Sequence, residues 1–200
     1  FSLGKVNYVL DGLQKKEYIT SSYNLTLKGN LYLKSHHPQK ATILAAGYGL
    51  RMVPINTEEP KGLLEVKNEP LIERIIKQLQ EVGITDISIV VGFMKEHYEY
   101  LIDQYNVKLI VNSHYNTRNN IYSLYLAKDR LENGYIIPCD IWFKNNPFST
   151  IEDPSWYLFS DRLTSKSHWT VSKSYKIKHT KDQLGNRMIG IAYLNKADAD

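Results

Sequence analysis

Residues 41–46, Ala-Thr-Ile-Leu-Ala-Ala, carry no charge and run directly into Gly-Tyr-Gly. A run this short cannot form a core helix, so it reads as a strand covered on both faces, the habit of parallel sheets. The chain must then turn at once. Gly47 and Gly49 let the backbone pass close to a bound group and aim N–H donors inward, as loops that cradle phosphate oxygens do. Leu44, Ala45, Ala46 and Tyr48 frame that loop. Arg51 and Lys61 add a planar fork and a mobile point charge on its flanks. No third glycine completes a dinucleotide fingerprint, and no Gly-Lys-Ser/Thr closes a P-loop.

Downstream, strands and helices alternate. Pro70 opens a helix whose Leu71, Ile72, Ile75, Ile76, Leu79 and Val82 share one face, and Gly83 ends it. Ile87 to Val91 reads as a second strand, Lys95 to Tyr105 as a helix, and Val107 to Val111 as a third strand. A helix over Asn119 to Leu131, with Ile121, Leu124, Tyr125 and Leu131 inward, leads to a fourth strand at Tyr135 to Pro138. This order predicts an α/β fold with a mainly parallel central sheet and right-handed crossovers. Ligands of such sheets sit beyond the carboxyl ends of the strands, where the glycine loop and Asp140 both fall. A triphosphate arrives with Mg²⁺, which keeps most of its waters and takes one or two carboxylates, so Asp140 is the candidate metal ligand.

The chain has 200 residues with 42% apolar content, enough for a sizeable core. No apolar run approaches the length of a membrane span, and no signal peptide opens the sequence. The one cysteine, Cys139, rules out an internal disulfide and predicts a cytoplasmic protein. The absence of a starting methionine suggests a fragment or a processed product.

Charge separates the chain into unequal parts. Lys5, Lys15, Lys16, Lys28, Lys34 and Lys40 face only Asp11 and Glu17 in residues 1–40, whereas the rest is balanced. Val6, Val9, Leu10 and Leu13 form an amphipathic stripe with Ser2 as a cap, and Leu27, Leu31 and Leu33 could line a further helix. Residues 1–36 resemble the second half of a winged helix-turn-helix domain, with Leu-Thr-x-Lys-Gly entering the last helix at Leu25–Gly29. That resemblance implies DNA contact through Lys5, Asn7, Lys15 and Lys16. The alternative is an appendage packed on the α/β domain or on a second subunit of a homodimer. Residues 37–40 read as a linker, and 41–200 as the α/β domain.

The run from Leu44 to Arg51, followed by Pro54, Pro60-Lys61 and Leu63, resembles the signature of nucleotidyltransferases that join a nucleoside triphosphate to a sugar or alcohol phosphate. Asn119-Asn120-Ile121-Tyr122-Ser123-Leu124-Tyr125-Leu126 is similar to a run in the bacterial CTP:phosphocholine cytidylyltransferases. In that family it lies beside the pyrimidine, which implies base contacts from Asn120 and Ser123. The resemblance extends from about Ala41 to Leu194. It implies that CTP and phosphocholine are the substrates and Mg²⁺ the cofactor, that Arg51, Lys61 and Asp140 are catalytic, and that Asp140, Trp169 and Tyr193 line the acceptor site. Trp142, Trp156 and Tyr157 are further rings nearby. The family's Asp-x-Asp is reduced here to Asp140, with Pro138 at its first position, and Asp198 and Asp200 do not match the family's later acidic ligand. The rival readings are a sugar-1-phosphate nucleotidyltransferase and a DNA-binding regulator whose transferase-like domain senses a nucleotide.

Overall fold

The structure, a computed structural model, describes residues 2–49, 58–181 and 184–199. The elements in chain order are α1 (Leu3–Lys15), α2 (Leu27–Ser35), β1 (Lys40–Ala45), α3 (Leu71–Glu81), β2 (Asp86–Val91), α4 (Tyr100–Tyr105), β3 (Lys108–Val111), α5 (Asn120–Leu126), β4 (Gly134–Pro138), β5 (Trp156–Thr164), β6 (Trp169–Val171), β7 (Ile177–His179), β8 (Gly185–Leu194) and α6 (Lys196–Ala199). Six strands form one sheet in the order β3-β2-β1-β4-β8-β5, and β6 and β7 form a separate ribbon. The first four run parallel, and β8 and β5 continue the sheet antiparallel. The order reverses between β1 and β4, which makes the gap beyond their carboxyl ends the switch point where such sheets take ligands.

The core explains the order. Ala41, Ile43 and Ala45 of β1 and Ile87, Ile89 and Val91 of β2 point to one face, where Ile72, Ile75, Ile76 and Leu79 of α3 cover them. Every one of these side chains is essentially inaccessible. Pro70 begins α3 and Gly83, at φ +86°, follows its end, as the sequence predicts. Among the described residues no helix is long and apolar enough to cross a membrane.

Two helices are shorter than expected. The predicted helix from Lys95 is a 3₁₀ turn, Lys95–Tyr98, followed by α4, and the predicted helix from Asn119 is α5 followed by a 3₁₀ turn at Lys128–Arg130. The inward face of α5 is also corrected. Ile121 and Tyr125 are 71% and 60% exposed, while Ser123 and Ala127 are buried. The sheet presents Thr42 and Ser88 side by side in register on its second face, together with Val90. Small side chains fit closely there, and bulky ones are turned outward.

The N-terminal arm forms the expected helices, capped by Ser2 and Thr26, with an antiparallel bridge between Ile19 and Leu25. The Thr26 side chain accepts from Gly29 N at 3.0 Å. A Cβ at Gly29 would lie 2.2 Å from the Tyr18 carbonyl oxygen, so glycine is needed where α2 crosses the preceding chain. Leu3, Val6, Leu27 and Leu31 remain exposed rather than packed. The segment expected as a linker is bonded in place. His37 Nδ1 lies 2.7 Å from the Thr150 carbonyl, Pro38 is buried, and Gln39 N donates to Asn133 O at 2.9 Å. Tyr32 donates to Asp153 at 2.9 Å, and His36 Nε2 lies 3.4 Å from the same carboxylate. The adjacent histidines thus take different partners, which suits structural roles.

Candidate functional site

The parallel pairing of β1 with β4 sets Leu44 beside Pro138, so the chain leaving each strand emerges at the same edge. Cys139 N donates to Leu44 O at 3.2 Å and carries that pairing one step further. Ala46-Gly47-Tyr48-Gly49 and Asp140 are thereby brought to one rim. Gly49 has φ +64°, which favours glycine. A Cβ at Gly47 would meet only open space, so the loop leaves room above its backbone. Arg51, with Leu50 and Pro54, lies outside the described residues.

Lys61 comes from another direction and meets Asp140. Buried Pro60 precedes the 3₁₀ turn Lys61–Leu63. At Gly62 a Cβ would stand 3.0 Å from Tyr98 Oη and 3.2 Å from Cys139 Cβ, so the absence of a side chain lets this turn lie against the end of β4. Lys61 Nζ consequently reaches Asp140 Oδ2 at 3.1 Å, with the two side chains 19% and 34% exposed. They are sheltered yet open to solvent. Cys139 beside them is fully buried and its thiol is pushed up to about 12, chiefly by burial, so it is no nucleophile at neutral pH.

The other rings and polar groups are distributed unevenly. Tyr48 packs on Phe93 and Tyr115, with centroids 4.7 and 5.1 Å away, so the loops after β1, β2 and β3 share one aromatic cluster. Gly92 lets them approach, since a Cβ there would stand 2.6 Å from Tyr115 Cβ. Asn120 is exposed at the start of α5, and Asn119 caps that helix by accepting from Ile121 N. Ser123 is placed differently from the expectation: it is 3% exposed and its hydroxyl accepts from the Asn112 side-chain amide at 3.1 Å. Tyr193 also departs, being 1% exposed in the core with its ring 5.5 Å from that of Tyr135. In register with Tyr135 and Trp156 on the neighbouring strands, it packs into the core and offers no open wall to an acceptor.

Trp169 does have an open ring. It is 46% exposed and meets His179 edge to face at 5.2 Å. The ribbon that carries it hangs on the start of β8, which extends past Pro138 on the same sheet edge as Asp140. Asn186 is the anchor that sequence reasoning missed: its side chain accepts from Val171 N at 2.8 Å and donates to Ser160 O at 3.1 Å. No sequence signal marks it, because its role depends on a register between strands distant in sequence.

A family model described as the MobA-like NTP transferase domain matches residues 41–148, and a choline-phosphate cytidylyltransferase of Streptococcus pneumoniae is 37% identical over 165 residues, 80% of this chain and 72% of that protein. The chain belongs to the MobA-like NTP transferase family. A choline-phosphate cytidylyltransferase of Haemophilus influenzae is 36% identical over 129 residues, covering 64% of this family member and 55% of that relative. A solved structure of the CTP:phosphocholine cytidylyltransferase from Streptococcus pneumoniae superposes with a TM-score of 0.73 at 36% identity, covering 81% of this chain and 73% of that one. The α/β nucleotidyltransferase fold with its mostly parallel sheet is therefore shared. The glycine loop, Lys61 and Asp140 all lie within the matched transferase domain.

No group of three or more histidine, cysteine or carboxylate side chains that could hold a metal occurs among the described residues. Asp140 alone suits a Mg²⁺ ion that keeps its waters and enters with triphosphate oxygens, rather than an ion caged by protein.

Proposed function

We propose that this chain transfers the cytidylyl group of CTP to phosphocholine, giving CDP-choline and pyrophosphate. The Lys61–Asp140 pair at the rim of the glycine loop carries this reading, in a chain whose relatives include enzymes named choline-phosphate cytidylyltransferase. A phosphocholine phosphate oxygen attacks the α-phosphorus in line, the bond to the β-phosphate bridge breaks, and the electron pair leaves with pyrophosphate. The attacking phosphate is already ionised near neutral pH, with a second pKa of about 6, so no general base is needed. Catalysis then rests on alignment and charge neutralisation.

The loop amides and Arg51 hold the triphosphate, and Lys61 leaves Asp140 to meet charge developing around the α-phosphate. Asp140 would hold Mg²⁺, which supplies further charge neutralisation. Trp169 is the candidate for the acceptor's trimethylammonium group, which cannot donate hydrogen bonds and is held by ring faces. Loss of one cation–π contact costs about 0.5–2 kcal/mol, so Trp169→Ala should raise the phosphocholine KM about 2- to 30-fold with less effect on CTP. An unchanged KM would return Trp169 to a packing role.

The reading is tested by pyrophosphate release with the four nucleoside triphosphates against phosphocholine, phosphoethanolamine, 2-aminoethylphosphonate and sugar 1-phosphates. The phosphonate belongs in the screen because a 2-aminoethylphosphonate cytidylyltransferase of Lancefieldella rimae is 44% identical over 101 residues. Preference for a sugar phosphate would overturn the acceptor assignment.

A second reading concerns the N-terminal arm. Lys5, Asn7, Lys15 and Lys16 are all exposed on or beside α1, and the helix–bridge–helix order suits a winged-helix role on DNA. A duplex affinity that falls with salt supports it, since phosphate contacts release counterions. The exposed Leu3, Tyr8, Leu27 and Leu31 suit pairing with a second copy, which sedimentation reads. A cytoplasmic setting accords with the free Cys139.

A further inference from the structure

Beyond Asp140 the chain continues through Ile141, Trp142, Phe143 and Lys144 without entering a strand or helix. Loops of this kind drift unless something holds them, and here α3 holds it through Arg74, through Gln78 and, further on, through Asn146 Nδ2, which donates to the Gln78 carbonyl at 2.7 Å. Arg74 Nε donates to the Phe143 carbonyl, and Arg74 Nη2 donates to the Lys144 carbonyl at 2.7 Å. Its guanidinium carbon lies 4.7 Å from the Trp142 ring centroid, and Lys67 Nζ lies 5.1 Å from the same ring. Gln78, one turn further along α3, also donates to the Phe143 carbonyl at 3.4 Å.

The other member of the site pair is tied to the same support. After Lys61–Leu63 the chain forms a two-residue hairpin, in which Val66 N donates to Glu69 O at 3.0 Å and Lys67 and Asn68 both have positive φ. The hairpin delivers Lys67 to Trp142 and leads directly into α3, whose first residue, Leu71, donates from its N to Leu64 O at 3.1 Å. Arg74 Nη1 also meets Glu69 at 3.0 Å, a contact separate from those that Nε and Nη2 make to the two carbonyls. Lys61 and Asp140, 79 positions apart in sequence, are thus both fastened to the N-terminal half of α3.

We propose that Arg74 is a positioning residue for the transfer reaction: by gripping the Phe143 and Lys144 carbonyls and the face of Trp142, it fixes Asp140 relative to Lys61. This inference rests on the proposed cytidylyl transfer. Arginine suits the role because its fork can serve two carbonyls while its plane lies on a ring, which lysine cannot do.

The test uses the full chain with Arg74→Lys, Arg74→Gln and, as a control, Glu69→Gln. The control removes the carboxylate that meets Arg74 Nη1 but leaves both carbonyl contacts available. Misplacement of a reacting group by about 1 Å can cost about 100-fold, so Arg74→Lys should lower kcat about 10- to 100-fold while the KM for CTP stays within about 3-fold. Hydrogen exchange should rise in peptides spanning 140–146 and stay unchanged in β1 and β2, because only the local opening becomes easier. Glu69→Gln should keep kcat near the wild-type value. The proposal is overturned if Arg74→Lys loses no more turnover than Glu69→Gln, or if exchange at 140–146 is unaltered in both Arg74 variants. If the wild-type chain turns over no nucleotide–phosphate pair, the transferase reading fails, and the exchange result still decides whether Arg74 fixes the segment after Asp140.

Discussion

Lys61→Ala should lower turnover about 100- to 1,000-fold while the protein stays folded, the scale seen when one preorganised stabilising group is removed from a reacting centre. The ammonium group lies 3.1 Å from Asp140, at a rim that also carries the glycine loop. It is 19% exposed, sheltered enough for its charge to act strongly but not buried in the core. The turn's close fit depends on Gly62 rather than Lys61, since a Cβ at Gly62 would crowd Tyr98 and Cys139. Initial rates of pyrophosphate release, with thermal unfolding as the folding control, check this. Near-normal rates in a folded variant would remove Lys61 from the chemistry.

Asp140→Asn should have an effect of similar size for a different reason. The substitution preserves shape and removes one negative charge, leaving Lys61 without its 3.1 Å partner. If Asp140 holds a metal that arrives with the nucleotide, the variant should require several-fold more Mg²⁺ for half-maximal rate, and its saturated rate should fall about 100-fold, equivalent to roughly 3 kcal/mol of barrier. Asp140 lies beyond the end of β4 and is partly exposed, so the unfolding midpoint should move little. A loss of rate without any change in magnesium dependence would keep Asp140 in the site but not as a metal ligand.

Much of this geometry was legible in the residue pattern, and the parts that were not have physical causes. Helix α3 could be read outright, because Pro70, a 3.6-residue apolar stripe and Gly83 agree on one answer. The strands β1, β2 and β4 could be read because sheets covered on both faces leave continuous apolar runs. The register that brings Asp140 beside the glycine loop follows from those strands being parallel neighbours. The late antiparallel half was hidden. In β5 the pairing with β8 shifts register between Tyr157 and Phe159 and again between Ser160 and Leu163. Such irregularities break the alternation by which a strand is recognised. Helix α5 misled for the opposite reason: its bulky Ile121 and Tyr125 look like a core stripe, but the face it buries is made by Ser123 and Ala127, with Leu124 half-buried beside them. Tyr193 could not be separated from ligand-facing rings until β8 was set between β4 and β5.

The bonds that Tyr32, His36 and His37 make to Thr150 and Asp153 bear on where the transferase unit can be excised. The neighbouring Glu152 accepts from Tyr135 at 2.6 Å and from Trp156 Nε1 at 2.8 Å, so those bonds reach the sheet itself through one short stretch of chain. A recombinant piece started at Ala41 would leave that stretch unbraced and uncover Pro38's seat. Scissors belong upstream of Tyr18, so that α2 travels with the domain it braces.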